Sequence, residues 1–137
     1  FKRFFMRTTI IHQRFLTMGL LFALLVSCSA VFAHAKYERS DPGRRSVLTR
    51  SPEVIKIWFS EQLEPAYSTI VVKNKAGDVV SDQKAVLAEG NDKLLSLTLP
   101  TLEAGKYSVF YRVLSVDGHV VDSKFKFRIK QAKPVQP

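Results

Sequence analysis

The feature that most constrains this chain is a strict alternation of apolar and polar residues. Leu95, Leu97 and Leu99 alternate with Ser96 and Thr98 and stop at Pro100. Tyr107, Val109, Tyr111 and Val113 alternate with Ser108, Phe110 and Arg112, and Phe125, Phe127 and Ile129 with Lys124, Lys126, Arg128 and Lys130. Earlier, Ile55, Ile57 and Phe59 share one face of Val54–Phe59, and Thr69–Lys73 is rich in β-branched residues. Period two belongs to half-buried strands, whereas an amphipathic helix would show 3.6. Turn signals recur at short intervals: Asp41-Pro42-Gly43, Ser51-Pro52, Gly77-Asp78, Gly90-Asn91, Ala104-Gly105 and Asp117-Gly118. About seven short strands in about 100 residues predict an all-β fold, a small antiparallel β-sandwich of Ig-like or cupredoxin-like type. Leu102-Glu103-Ala104-Gly105-Lys106-Tyr107 resembles a tyrosine corner, in which the phenol bonds back to an upstream backbone group. Glu61–Tyr67 holds at most a short turn, and no internal repeat or linker is visible.

The 137 residues divide unevenly. Residues 1–33 carry six of the ten Phe, both Met (Met6 and Met18), the sole Cys (Cys28) and no acidic residue. Lys2, Arg3, Arg7 and Arg14 precede an apolar run from Leu16 to Val26, and the segment ends in Val31-Phe32-Ala33. A basic start, a run too short to span a bilayer and small residues before the cut describe a cleavable secretory signal. The expected organisation is therefore a leader at 1–33, a sandwich at 34–130 and a flexible tail at 131–137 that holds two Pro. Cleavage after Ala33 leaves His34 as the first residue of the exported chain. A rival cut is written in Leu25-Val26-Ser27-Cys28, which resembles a lipobox and would anchor the protein by a lipid on Cys28. Beyond residue 33 there is no cysteine, so the fold rests on its core and not on disulfides.

The remainder holds 17 Lys and Arg against all 12 Asp and Glu, a modestly basic balance. Lys124, Lys126, Arg128 and Lys130 lie on the face opposite Phe125, Phe127 and Ile129, as on a solvated sheet face, and lysines there discourage edge pairing. Nucleic-acid binding would need aromatics on the charged face as stacking platforms. The aromatics of this strand point away, so no nucleic-acid partner is expected.

Only two histidines remain after the leader, His34 and His119. As residue one, His34 can close a chelate ring on a metal through its amine and imidazole. His119 lies in Ser115-Val116-Asp117-Gly118-His119, and in an extended segment Asp117 and His119 project from the same side. Gly118 lets the backbone bend or approach a ligand. Each feature has a bland reading: an exposed His is usually solvated, and Asp-Gly is usually turn chemistry.

Order and spacing carry more than any one motif. The leader ending at Ala33 before His34 is followed by Ser40-Asp41-Pro42, by Phe59-Ser60-Glu61 with Glu64, and by the segment Leu102–Tyr107. Arg112-Val113-Leu114-Ser115-Val116-Asp117-Gly118-His119 and Phe125-Lys126-Phe127 complete the series. Over residues 34–130 the chain resembles the periplasmic copper-resistance family CopC, and particularly its YobA-like members. The resemblance implies a Greek-key sandwich whose cargo is Cu(II), held by His34 (amine and imidazole), Asp117 and His119, with Glu61 as a weak ligand or a carboxylate beside the site. Nitrogen donors with a carboxylate suit tetragonal Cu(II). The Met-rich Cu(I) loop of some members is missing after residue 33, so a Cu(II)-only binder is expected. The resemblance also implies a role in copper resistance and homeostasis, and a separate inner-membrane partner resembling CopD.

Such a binder is not an enzyme, and a small basic sandwich is most simply a monomer. Two other readings stand beside it. A histidine-brace copper oxidoreductase would need a flat substrate surface and an open coordination position. A plain Ig-like adhesion or scaffold domain would carry its histidines incidentally.

Overall fold

The computed structural model describes residues 34–131. The expected leader at 1–33 and residues 132–137 of the expected tail lie outside the described residues. Eight strands follow in order: β1 (Tyr37–Asp41), β2 (Val47–Leu48), β3 (Val54–Phe59), β4 (Thr69–Lys73), β5 (Val86–Ala88), β6 (Asn91–Thr98), β7 (Gly105–Leu114) and β8 (Val120–Ile129). One 3₁₀ turn, Pro65–Tyr67, precedes β4.

The strands form two four-stranded sheets, in the orders β1-β3-β6-β5 and β2-β8-β7-β4. This is the Ig-like sandwich that the alternation predicts. Two details differ from expectation. After the turn at Asp41-Pro42, whose peptide bond is cis, the chain crosses to the second sheet and adds a two-residue strand. That strand, β2, runs parallel to β8, pairing Val47 with Arg128 and Leu48 with Ile129. It brings the count to eight and is the one departure from antiparallel pairing among the described residues. Its two residues are too few to show any period.

The predicted inward faces are buried. Ile55, Ile57, Leu95, Leu97, Val109 and Val113 are fully enclosed, and Phe59, Tyr111, Phe125, Phe127 and Ile129 are nearly so. Each such side chain contributes about 1.5–3 kcal/mol. Aromatic contacts tighten the core: Phe59 of the first sheet meets Tyr111 of the second edge-on at 5.5 Å between centroids, and within the second sheet Tyr107 stacks on its cross-strand partner Phe127 at 5.4 Å. Arg44 lies 3.6 Å over the Tyr37 ring and covers that edge of the core.

The tyrosine corner is present. Tyr107 Oη donates to the Glu103 carbonyl at 2.8 Å. Burial, with the Glu103 carboxylate adding to it, pushes the Tyr107 phenol above its ordinary pKa, so it stays a donor.

The basic strand requires a correction. Lys124, Lys126, Arg128 and Lys130 are exposed opposite buried Phe125, Phe127 and Ile129, as expected. However, β8 is not an edge strand over its full length, because β2 covers its end. The charged face is also not free of aromatics. Phe110 pairs with Lys124 across the β7–β8 ladder, and its ring lies 5.2 Å from Lys73 Nζ and 5.6 Å from Lys124 Nζ. Phe110 occupies an outward position of β7, which reasoning about β8 alone overlooked.

Replacing Tyr107 by Phe removes one buried hydrogen bond and no apolar surface. The expected loss is about 0.5–1.5 kcal/mol, or several degrees in Tm at about 4–8 °C per kcal/mol. Thermal unfolding followed by circular dichroism measures it, and an unchanged Tm would make the corner ornamental.

Candidate metal centre

Three segments meet at one end of the sandwich: residues 34–36 before β1, residues 60–64 after β3, and the turn 115–119 between β7 and β8. The first two are pinned by Ser60, whose N–H donates to the Lys36 carbonyl and whose hydroxyl accepts from the Lys36 N–H, each at 2.9 Å. The same hydroxyl reaches the His34 carbonyl at 3.5 Å. Ala35 is wholly buried and anchors this stretch.

Residues 60–64 then cross from the first sheet to the second. Leu63, also buried, forms an isolated antiparallel bridge with Ser115. The Val116 N–H donates to the Gln62 carbonyl at 3.0 Å, and the Glu64 N–H to the Leu114 carbonyl at 2.8 Å. The crossing thus fastens His34 and the β7–β8 turn to one frame.

The turn itself is tight. Gly118 N–H donates to the Ser115 carbonyl, and Ser115 N–H to the His119 carbonyl, both at 2.9 Å. Gly118 has a φ of 90°, a conformation that a side chain would strain. Asp117 and His119 are therefore brought together by a closed turn and not by the extended spacing expected from sequence. His119 Nδ1 lies 3.2 Å from Asp117 Oδ2, and the His119 ring lies 4.3 Å from that of His34, centroid to centroid, tilted by 51°.

Ser115 is 1% exposed at the base of this arrangement. Its hydroxyl donates to Asp117 Oδ1, and it also contacts the His119 carbonyl at 3.1 Å and accepts from the His119 N–H at 3.2 Å. The Ser115 hydrogen bond holds the Asp117 carboxyl below the usual carboxylate range, with His119 contributing the same way and partial desolvation opposing.

Glu61 lies on a shallow depression of about 370 Å³, lined with it by Gln62, Lys93, Val116 and Asp117. The structure thus places Glu61 on the Asp117 side of the cluster. Among the described residues no group of three or more His, Cys, Asp or Glu side chains is arranged to hold a metal ion. Two physical facts accompany this. His119 Nδ1 faces Asp117, and the backbone nitrogen of His34, bonded to Ala33 in this chain, is an amide and not an amine.

Sequence reasoning missed the serines. Ser115 continues the inward register Tyr107, Val109, Tyr111, Val113, and Ser68 precedes Ile70 and Val72 in the same way. Ser68 is buried, donates to the Glu64 carbonyl at 2.8 Å and accepts from the Leu114 N–H at 3.3 Å. A small polar residue on an inward register is the signal that could have found both, because a buried hydroxyl must be bonded.

The family model described as the CopC domain matches residues 37–130. The copper transport protein CutJ of Bacillus subtilis is 32% identical over 114 residues, which are 82% of this chain but 21% of CutJ. The chain thus spans about a fifth of that relative. Protein YobA of Escherichia coli is 30% identical over 114 residues, covering 82% of this chain and 91% of YobA. The crystal structure of CopC from Methylosinus trichosporium OB3b superposes with a TM-score of 0.70 at 31% identity, covering 75% of this chain and all of that one. With a family model spanning most of its length and a relative matched nearly end to end, this chain belongs to the CopC domain family.

Proposed function

We propose that the protein is a non-enzymatic Cu(II) binder of the periplasm that holds or carries copper for resistance and homeostasis. The ligands are the amine and imidazole of His34, the Asp117 carboxylate and the His119 imidazole, with Glu61 beside them. One observation carries the reading: two histidines distant in sequence have rings 4.3 Å apart, with a carboxylate 3.2 Å from one of them. Those donors fit Cu(II), which leads the affinity order for nitrogen and oxygen sites. CutJ bears the name of a copper transport protein, which accords with this reading.

Signal cleavage after Ala33 is part of the mechanism. It converts the His34 amide into an amine, and amine and imidazole then form one chelate ring. Deprotonation of that amine accompanies metal binding. Ser60 and the buried Ala35 hold the new terminus against the turn, so little backbone freedom is lost when the ion enters. Ser115 orients Asp117 and His119 together, the kind of support on which metal affinity depends. With Cys28, Met6 and Met18 all removed with the leader, the site has no soft donor to retain Cu(I). Release on reduction follows, and a separate CopD-like membrane protein would be the recipient.

Three outcomes are expected. A chain starting at His34 should bind one Cu(II) tightly against a competing chelator, and one extra Gly before His34 should weaken binding sharply. Equal binding by both would remove the amine from the site. Ascorbate reduction should lower affinity in the same titration; retention of Cu(I) would point to a donor outside this set.

Ser115→Ala should cost about 10–100-fold in Cu(II) affinity. In the apo protein it should also raise the Asp117 titration midpoint, read by carboxyl NMR. The sign follows from the lowered folded pKa: the stability Asp117 contributes is present above the unfolded carboxylate pKa and lost as pH falls through the folded one. An unmoved midpoint would assign the depression to another group.

A further inference from the structure

The outer face of β4, β7 and β8 carries an array of cations that the copper site does not use. The ladder sets Lys106 directly opposite Arg128, Ser108 opposite Lys126 and Phe110 opposite Lys124, while Lys73 of β4 faces Ser108 from the other side. Lys130 continues the row just past β8. One acidic side chain stands on these strands' outer positions, Asp122, and it is already paired with Arg112 at 2.7 Å. Lys73, Lys106, Lys124, Lys126, Arg128 and Lys130 therefore share a face with no partner anion on it among the described residues. Like charges placed directly opposite, as Lys106 and Arg128 are, weaken a sheet. Folding alone gives no reason for that pairing.

Within the array, Lys124 to Lys130 spans about 20 Å along the strand at about 3.4 Å per residue. Its centre is Phe110, half-buried, with the Lys73 and Lys124 ammonium groups 5.2 and 5.6 Å from its ring. A free phosphate needs convergent donors, and single-stranded nucleic acid needs successive aromatics; this face has a single aromatic. Cations spread over one exposed sheet face around a single aromatic match a layer of anionic headgroups with an apolar layer beneath. No helix among the described residues is long and apolar enough to cross a membrane.

We propose that this face docks the protein onto an anionic phospholipid bilayer. The β7–β8 turn with Asp117 and His119 lies at the far end of the hairpin from Lys106, Arg128 and Lys130. Docking therefore leaves the metal-binding end accessible. The inference stands independently of the copper reading.

The test is co-sedimentation of protein purified after expression of the full chain. The probes are vesicles of phosphatidylcholine alone and of phosphatidylcholine mixed with phosphatidylglycerol. Binding is expected only to the anionic vesicles, and should fall steeply with added salt. Lys124→Gln with Lys126→Gln should lower the partition about 30-fold, at about fivefold per cation. The same charge change at Lys56 and Lys84, outside this face, should leave it nearly unchanged. Circular dichroism confirms that both variants are folded. Absence of binding to anionic vesicles, equal binding to neutral ones, or equal loss in both double variants would each overturn the proposal.

Discussion

Everything in this structure depends on two sheets sharing one apolar interior. After residue 33 no cysteine is available to staple them, so the inward faces of β3, β6, β7 and β8 must close against each other without gaps. Ile55, Ile57, Leu95, Leu97, Val109 and Val113 do so with no exposed surface. Because successive strand residues point to opposite faces, burying one set fixes the register of every strand and exposes the other set. The cationic outer face and the aromatic interior are two consequences of the same period.

The end of the sandwich where His34, Asp117 and His119 meet follows from how the chain passes between those sheets. The 60–64 crossing is short and carries a buried Leu63. Its backbone groups bond to both sheets, the Leu63 N–H to the Asp92 carbonyl of β6 and the Glu64 N–H to the Leu114 carbonyl of β7, while the Gln62 carbonyl accepts from Val116 and Leu63 bridges to Ser115. That satisfies buried polar groups, and it also brings the segment after β3 against the β7–β8 turn. His34 arrives because Ser60, at the start of the crossing, holds the strand-like stretch ahead of β1. The site is a by-product of closing the sandwich, stiffened by serines that the core cannot leave unbonded.

β3, β4, β6, β7 and β8 were legible because each carries its strand pattern over five or more residues. β1, β2 and β5 were not: Tyr37–Asp41 has no apolar alternation, and β2 and β5 have too few residues to show a period. Tyr107 was legible as a corner because its upstream Leu-Glu-Ala-Gly has local turn chemistry. Phe110 was misjudged because the face of a residue on β7 decides what surrounds a lysine on β8, and only the register between them tells.

His34, Asp117 and His119 could be named from their residue types, their rarity and their place beside a glycine. The composition also excluded thiolate and thioether donors after residue 33. What the sequence by itself determined was thus the strand period, the inventory of donors and the sign of the exposed face. The tertiary structure decided which donors meet. A closed turn, not an extended segment, joins Asp117 to His119, and a crossing between sheets brings His34 to them. Both depend on backbone hydrogen bonds between segments far apart in the chain, and local sequence does not encode such pairings.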